Sequence, residues 1–186
     1  MHTLHDLANG QALLVMLPPA RACAQDLVDQ GFVAALRERR LPVDVAIVDA
    51  QTDDYLEPDI GERLVAEVAA LRARGYPQVW LMGISLGGFG CMALARQPAA
   101  GVEGVILIAP FFGSRDPEAL ELEEQARLSA IYLGFGNADR YAEPSRRLAQ
   151  HLPPERVVQL PGGHDWPTWM RLWRALLAKV PLAVEA

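Results

Sequence analysis

The sequence predicts an α/β protein built on a mostly parallel sheet of about six strands, with helices on both faces. Apolar runs of strand length alternate with segments of helical periodicity along the whole chain. Most of these runs are almost continuously apolar, which is typical of strands buried on both faces of a parallel sheet. A length of 186 residues, 51% of them hydrophobic and 22% charged, suits a single globular domain spanning residues 1–186.

The strands and helices follow one another in a regular order. The predicted strands are Ala12–Leu17, Val43–Val48, Gln78–Met82, Gly104–Ala109, Ile131–Phe135 and Arg156–Leu160. Helical periodicity falls within residues 24–40, 59–72, 86–96, 116–128 and 144–152, and in a closing segment that carries Trp169 and Trp173. Asp59 is the predicted N-cap of the second helix, whereas Gly31 weakens the first half of the first one.

One serine stands at a sharp junction between a strand and a helix. Gly83-Ile84-Ser85-Leu86-Gly87 matches the G-x-S-x-G nucleophile elbow, and it lies between the strand from Gln78 and the helix from Leu86. A Cβ at either outer glycine would collide with the neighbouring strand or with the turn. The alternative is a tightly packed glycine-rich turn, or one that binds a phosphate at the helix N-terminus.

On this motif and its context the chain resembles a small member of the α/β-hydrolase superfamily. The resemblance implies a serine nucleophile, Ser85, followed along the chain by an acid and then a histidine. Two departures from the family pattern stand out: the antiparallel strands that open the fold are missing, and residues 110–129 leave room for one crossover helix in place of a cap domain. We therefore expect an open or lightly covered site.

A base for the serine is offered by His164. A serine hydroxyl needs a base to take its proton, and His164 follows the last predicted strand after two glycines, where the superfamily keeps its catalytic histidine. The alternative is a histidine that satisfies backbone groups at a helix start. The other histidines have no comparable position, since two lie near the N-terminus and His151 ends a short helix.

The carboxylate partner of the histidine is predicted to be Asp139. A buried carboxylate holds the imidazole in one tautomer and stabilises its cation, and relatives place this acid just past the penultimate strand, where Asp139 stands. The order Ser85, Asp139, His164 agrees with the family order. Asp116, after the preceding strand, and Asp165, which more naturally caps the last helix, remain as rivals.

The resemblance also implies an oxyanion hole. One donor would be the backbone N–H of Leu86, the residue after the nucleophile. The second normally comes from the loop after the strand Ala12–Leu17, where this chain has Pro18 and Pro19, which carry no N–H. The donor is therefore Ala20 or, as the weaker choice, Arg21. Phe111, Phe112 and Trp166 are candidates to line an apolar substrate pocket or, alternatively, to pack in the core.

Composition limits the partners. A net charge of −6 gives no footprint for nucleic acid or anionic lipid. Cys23 and Cys91 form neither a disulfide framework nor a zinc site, and no H-E-x-x-H or dinucleotide motif implies a cofactor.

The N-terminus lacks a signal-peptide pattern and no apolar run reaches membrane-spanning length, so a cytoplasmic protein is expected. A truncated sheet could leave an edge strand for a twofold partner, giving a homodimer.

These observations predict a serine hydrolase that cleaves a small or medium carboxylic ester, or a thioester, through an acyl-enzyme on Ser85. The same three residues would also serve an acyltransferase or an amidase. A third reading is a catalytically weak ligand-binding protein that keeps the fold, since fold alone does not confer activity.

Overall fold

A sheet of seven strands is the centre of the computed structural model, which describes residues 2–97, 101–112 and 130–182. The strands, numbered along the chain, are β1 (His2–Asp6), β2 (Ala12–Leu17), β3 (Val43–Asp49), β4 (Gln78–Ile84), β5 (Gly104–Ile108), β6 (Ala130–Gly136) and β7 (Val157–Leu160). They lie side by side in the order β1-β3-β2-β4-β5-β6-β7. Six of them, β2 to β7, are the predicted strands.

Strands β2 to β7 pair in parallel, as the sequence predicted. In the middle of the sheet Leu14 lies opposite Trp80, and Met82 lies opposite Ile106. Because all these strands point the same way, the loops that follow β2, β4, β6 and β7 emerge along one edge of the sheet. That edge is where Ala20, Ser85, Asp139 and His164 stand.

Strand β1 corrects the prediction that the opening antiparallel strands are missing. His2–Asp6 pairs antiparallel with β3, with Leu4 opposite Ile47. The segment HTLHD has no apolar run, and its residues are exposed or half-buried because β1 is an edge strand. An edge strand needs little apolar burial, so periodicity gave no signal for it.

The helices pack on both faces of the sheet, as predicted. Their bounds are α1 (Ala24–Asp29), α2 (Phe32–Glu38), α3 (Ile60–Arg72), α4 (Leu86–Ala95), α5 (Glu143–Ala149) and α6 (Trp166–Leu176). Side chains of α3, α4 and α5 join the core on one face, and those of α1, α2 and α6 join it on the other. Within the described part of the chain, no helix is long and apolar enough to cross a membrane.

Three helix predictions need comment. The helix expected over residues 24–40 is broken into α1 and α2, because Gly31 adopts a φ of 86° that ends the helical path. Asp59 does precede α3, but its carboxylate makes no capping hydrogen bond. The helix predicted over 116–128, and with it the expectation of a lightly covered site, lies outside the described residues.

Candidate active site

Ser85 lies in a strained turn between β4 and α4. Its φ of 51° and ψ of −115° are rare for a residue with a side chain. The turn is held on both sides, since the Ser85 N–H donates to the carbonyl of Ile108 and the Ser85 carbonyl accepts from the N–H of Phe111, both at 2.9 Å. The surrounding structure therefore fixes a conformation that an isolated chain would avoid.

The two glycines that flank Ser85 are required by close backbone contacts. A Cβ on Gly83 would overlap the backbone of Gly87, which belongs to the turn itself. A Cβ on Gly87 would overlap the carbonyl of Leu17 at the end of β2. This is the collision that the motif predicted, so the sharp turn depends on glycine at both positions.

His164 lies between β7 and α6 with its ring facing Ser85. Its Nε2 is 2.9 Å from the Ser85 Oγ, and its Nδ1 is 2.7 Å from Oδ2 of Asp139. Two aromatic rings meet the imidazole nearly at right angles, Tyr141 and Trp169, each with its centroid 5.0 Å from that of the imidazole. These rings restrict the rotation of the imidazole and hold it between serine and carboxylate.

Asp139 is almost fully buried in the turn after β6. Its side chain is 1% exposed, and its Oδ1 accepts a hydrogen bond of 2.7 Å from the N–H of Tyr141. A carboxylate can only accept, so Nδ1 of His164 donates to Asp139 and Nε2 is left to accept from the Ser85 hydroxyl. The three side chains thus form a chain of hydrogen bonds with one consistent direction.

The rival carboxylates are in other places. Asp165 accepts a hydrogen bond of 2.9 Å from the N–H of Thr168 and caps α6, as its position suggested. The side-chain and backbone hydrogen bonds from Thr168 hold the pKa of Asp165 below its ordinary value. Asp116 lies outside the described residues. The structure therefore places Asp139, and not Asp165, against the imidazole.

Leu86 and Ala20, whose backbone N–H groups are the predicted oxyanion donors, both line the cavity that contains Ser85. Leu86 is the first residue of α4, so its N–H has no partner within the helix. In the loop after β2, the N–H of Arg21 donates to Oγ1 of Thr52 at 3.1 Å, and the N–H of Ala22 donates to the carbonyl of Pro19. Of the two predicted donors in that loop, Ala20 is the one whose N–H has no partner among the described residues.

A cavity of about 380 Å³ opens beside Ser85. The described residues that line it are Pro19, Ala20, Arg21, Ser85, Leu86, Phe111, Arg140, Tyr141, His164 and Trp169. Phe111 is among them, as predicted, and is 41% exposed. Phe112 is 1% exposed and packs in the core, while Trp166 packs edge-on against Trp169 and Phe32. Neither Phe112 nor Trp166 is among the described lining residues, because Phe112 is buried in the core and Trp166 packs against two aromatic rings.

Sequence reasoning missed three residues of this cavity. Trp169 was assigned to helix packing by its spacing, and it does pack in the core, but its ring also contacts that of His164 in a T-shaped arrangement. Tyr141 and Arg140 directly follow Asp139, and this adjacency to the predicted acid was the available signal. A neighbour in sequence of a site residue is often carried into the site by the same turn.

The described residues contain no group of three or more His, Cys, Asp or Glu side chains that could hold a metal ion. Cys91 is fully buried in α4, and burial raises the pKa of its thiol. Cys23 is half-buried at the start of α1 and unpaired. Neither cysteine lines the cavity beside Ser85.

Comparison with solved structures assigns the fold. The chain is similar to a fluorophosphonate-binding serine hydrolase of Staphylococcus aureus, with a TM-score of 0.69 and 14% identity over 90% of this chain and 82% of that one. It is similar to a predicted CIB-like hydrolase of Thermoplasma acidophilum, with a TM-score of 0.72 and 16% identity over 96% and 93% of the two chains. For a monoacylglycerol lipase of Paleococcus ferrophilus the TM-score is 0.67, with 13% identity over 96% and 99%.

No family model matches the sequence, and no curated protein matches it significantly. The structural similarities extend over most of each chain, and they show that this chain has the α/β-hydrolase fold. The fold predicted from the elbow motif is confirmed. Identities of 13–16% carry the fold and not the substrate.

Proposed function

We propose that the protein is a serine hydrolase that cleaves a carboxylic ester, or a thioester, through an acyl-enzyme on Ser85. The observation that carries the proposal is the position of His164, whose two ring nitrogens lie 2.9 Å from the Ser85 hydroxyl and 2.7 Å from the Asp139 carboxylate. A hydroxyl, an imidazole and a buried carboxylate in this order are what activates a serine nucleophile. The structural neighbours include a serine hydrolase and a monoacylglycerol lipase, which supports a hydrolytic activity.

The first half of the reaction forms the acyl-enzyme. His164 Nε2 takes the proton of the Ser85 hydroxyl while the Ser85 Oγ attacks the ester carbonyl carbon. The resulting oxyanion accepts hydrogen bonds from the N–H groups of Leu86 and Ala20, and Asp139 stabilises the imidazolium. The tetrahedral intermediate then expels the alcohol, which takes its proton from Nε2 of His164.

The second half regenerates the enzyme. A water molecule replaces the alcohol, gives a proton to His164 and attacks the carbonyl carbon of the acyl-enzyme. Collapse of this second intermediate releases the carboxylic acid, and Ser85 recovers its proton from His164. Transfer of the acyl group to an alcohol or amine in place of water would make the protein an acyltransferase, and an amide substrate would make it an amidase.

Labelling with a fluorophosphonate probe tests the proposal. The probe reacts with an activated serine, so we expect one label per chain, complete loss of labelling in Ser85→Ala, and strong reduction in His164→Ala. Ser145→Ala is the matched control, because Ser145 is a buried serine in α5 that does not line the cavity. An unlabelled but folded wild-type protein would contradict the proposal and favour the ligand-binding alternative.

A panel of p-nitrophenyl esters with increasing acyl length tests the shape of the pocket. Phe111, Tyr141 and Trp169 give the cavity an apolar side, so we expect activity to extend beyond the acetate. Activity confined to the acetate would argue against a pocket that extends past Phe111.

A further inference from the structure

The cavity beside Ser85 carries an unusual charge for this protein. The chain has a net charge of −6, but the charged side chains among the described lining residues are two arginines, Arg21 and Arg140, with no Asp or Glu. Asp139 lies beneath His164 and adds one buried negative charge, so the part of the site formed by described residues is net positive. The described residues of an acidic protein thus form a cationic surface at Ser85.

Both guanidinium groups lack a carboxylate partner among the described residues. Three carboxylates near Arg21 in the sequence or across the loop have other partners: Asp26 accepts from the N–H of Cys23, Asp49 from the N–H of Ala24, and Asp54 pairs with Arg63. Asp53, which follows Thr52, is exposed and forms no ion pair with Arg21. Arg140 has its guanidinium carbon 4.7 Å from the centre of the Tyr141 ring. An unpaired guanidinium presents a fork of N–H donors that fits carboxylate and phosphate oxygens.

Each arginine is also held in place by its own backbone or ring contacts. Arg21 has a φ of 64°, and its N–H is fixed to Thr52 across the loop. The Tyr141 ring, over which Arg140 lies, contacts both Phe111 and His164 edge-on. Arg21 directly follows the predicted oxyanion donor Ala20, and Arg140 directly follows the predicted acid Asp139.

From these contacts we propose that the substrate is an anionic ester, in which a carboxylate or phosphate group on the acyl or alcohol portion binds Arg21 and Arg140. This inference rests on the proposed hydrolase function and names its substrate class. The anionic group is held by the arginines while the ester carbonyl lies at Ser85, so binding energy is used to orient the bond that is cleaved. A cationic cavity also steers anions towards an otherwise acidic protein.

Matched substrates test the inference. We would compare kcat/KM for mono-p-nitrophenyl glutarate with that for its neutral isostere, in which an amide replaces the free carboxylate. The wild type should prefer the glutarate by about tenfold, the value of one good charge-assisted contact, and the preference should shrink with added salt. A phosphonate analogue of the glutarate identifies which of the two anions is favoured, and a preference for either over its neutral isostere supports the inference.

The variants assign the preference to these two side chains. Arg21→Gln and Arg140→Gln should each lower the ratio of glutarate to amide activity, and the double variant should bring it close to one. Arg40→Gln is the matched control, because Arg40 is also exposed, also has a positive φ of 54°, and lies outside the cavity. Equal activity on the two esters in the wild type, or a ratio unchanged in the double variant, would overturn the inference.

A binding measurement separates this inference from the proposed function. If the wild type were neither labelled by a fluorophosphonate nor active on any ester, the hydrolase proposal would fail. Calorimetric titration of Ser85→Ala with monophenyl glutarate and with its amide isostere still tests the anion site, since it needs no turnover. Tighter binding of the glutarate, lost in the double arginine variant, supports the site; equal affinity for the two ligands rejects it.

Discussion

Two buried aspartates, at opposite edges of the sheet, have very different partners. Asp139 follows β6 at the carboxyl edge and, taken as a whole residue, is 4% exposed. Asp44 is the second residue of β3, near the amino edge, and is 5% exposed. One oxygen of Asp139 contacts the ionisable ring of His164. Asp44 has neutral donors only, since its Oδ1 accepts from the N–H groups of Ala8 and Gly10 and its Oδ2 from the hydroxyl of Tyr76.

Burial alone does not distinguish Asp139, the carboxylate proposed to be catalytic, from a structural one such as Asp44. The donors around Asp44 join the start of β3 to the loop after β1 and to Tyr76, which lies before β4, so its charge holds three chain segments together. The charge of Asp139 is connected through one imidazole to a hydroxyl in a cavity. The identity of the partner, and what that partner touches next, separates the two roles.

The largest expected effect is the loss of activity in Asp139→Asn. An amide cannot hold His164 in the required tautomer or stabilise its cation, so kcat on a p-nitrophenyl ester should fall by about 10³ to 10⁴-fold. The fold should persist, because the N–H of Tyr141 can still donate to the amide oxygen. Steady-state kinetics with a parallel urea unfolding curve would check this. A loss of less than about tenfold would contradict a catalytic role for Asp139.

Asp44→Asn should lower the stability of the fold and leave the catalytic rate unchanged, the reverse of Asp139→Asn. Replacing one carboxylate oxygen with an NH₂ group removes the charge from these hydrogen bonds and requires the Tyr76 hydroxyl to accept where it donated, which should lower the free energy of unfolding by about 2 kcal/mol. The rate per folded molecule should stay at the wild-type level, because Asp44 is remote from the cavity. Urea unfolding and active-site titration measure the two quantities. A large fall in kcat with unchanged stability would invert the assignment of the two aspartates.

A smaller effect is expected for Tyr76→Phe. This change removes one donor to Asp44 but leaves the two backbone N–H groups, so the free energy of unfolding should fall by about 1 kcal/mol. A double-mutant cycle with Asp44→Asn measures the coupling of the two side chains. Strict additivity of the two changes would mean that the hydroxyl does not stabilise the carboxylate.

The smallest expected effect is the loss, at acid pH, of the contribution that Asp44 makes to stability. Burial alone would raise the pKa of Asp44, but the donors Gly10, Tyr76 and Ala8, together with the positive charge of Arg37, hold the pKa below the ordinary value of 3.8. A lowered pKa in the folded state means that Asp44 stabilises the fold above pH 3.8 and loses this contribution as the pH falls through its folded pKa. The stability difference between wild type and Asp44→Asn should therefore narrow in urea unfolding below about pH 4. A stability difference between the two proteins that increases at acid pH would contradict the lowered pKa of Asp44.

The same comparison shows what the sequence could predict. Asp139 was found because it follows a recognisable strand and precedes His164 in the family order. Asp44 was read only as part of the strand Val43–Val48, since its donors lie 36, 34 and 32 residues away in the chain. Contacts between distant segments leave no local pattern, so a single sequence does not reveal them.

The fold was predictable wherever buried segments leave a recognisable pattern of apolar residues in the sequence. The six parallel strands and the elbow are marked by apolar runs and by glycines that close contacts require. Strand β1 and the break at Gly31 were missed, because an edge strand needs no apolar run and a glycine within a helical pattern can be tolerated or can end the helix. Trp166 was proposed for the pocket because it follows the histidine, and Trp169 was assigned to packing by its helical spacing, but Trp169 is the one that is among the described lining residues.

Trapping the acyl-enzyme tests the central claim most directly. Rapid mixing with p-nitrophenyl acetate, acid quenching and peptide mass mapping would locate any covalent acetyl group. A burst of about one p-nitrophenolate per chain, with the acetyl group on Ser85 and lost in Ser85→Ala, is the predicted result. An acetyl group on another residue, or steady turnover that persists in Ser85→Ala, would contradict it.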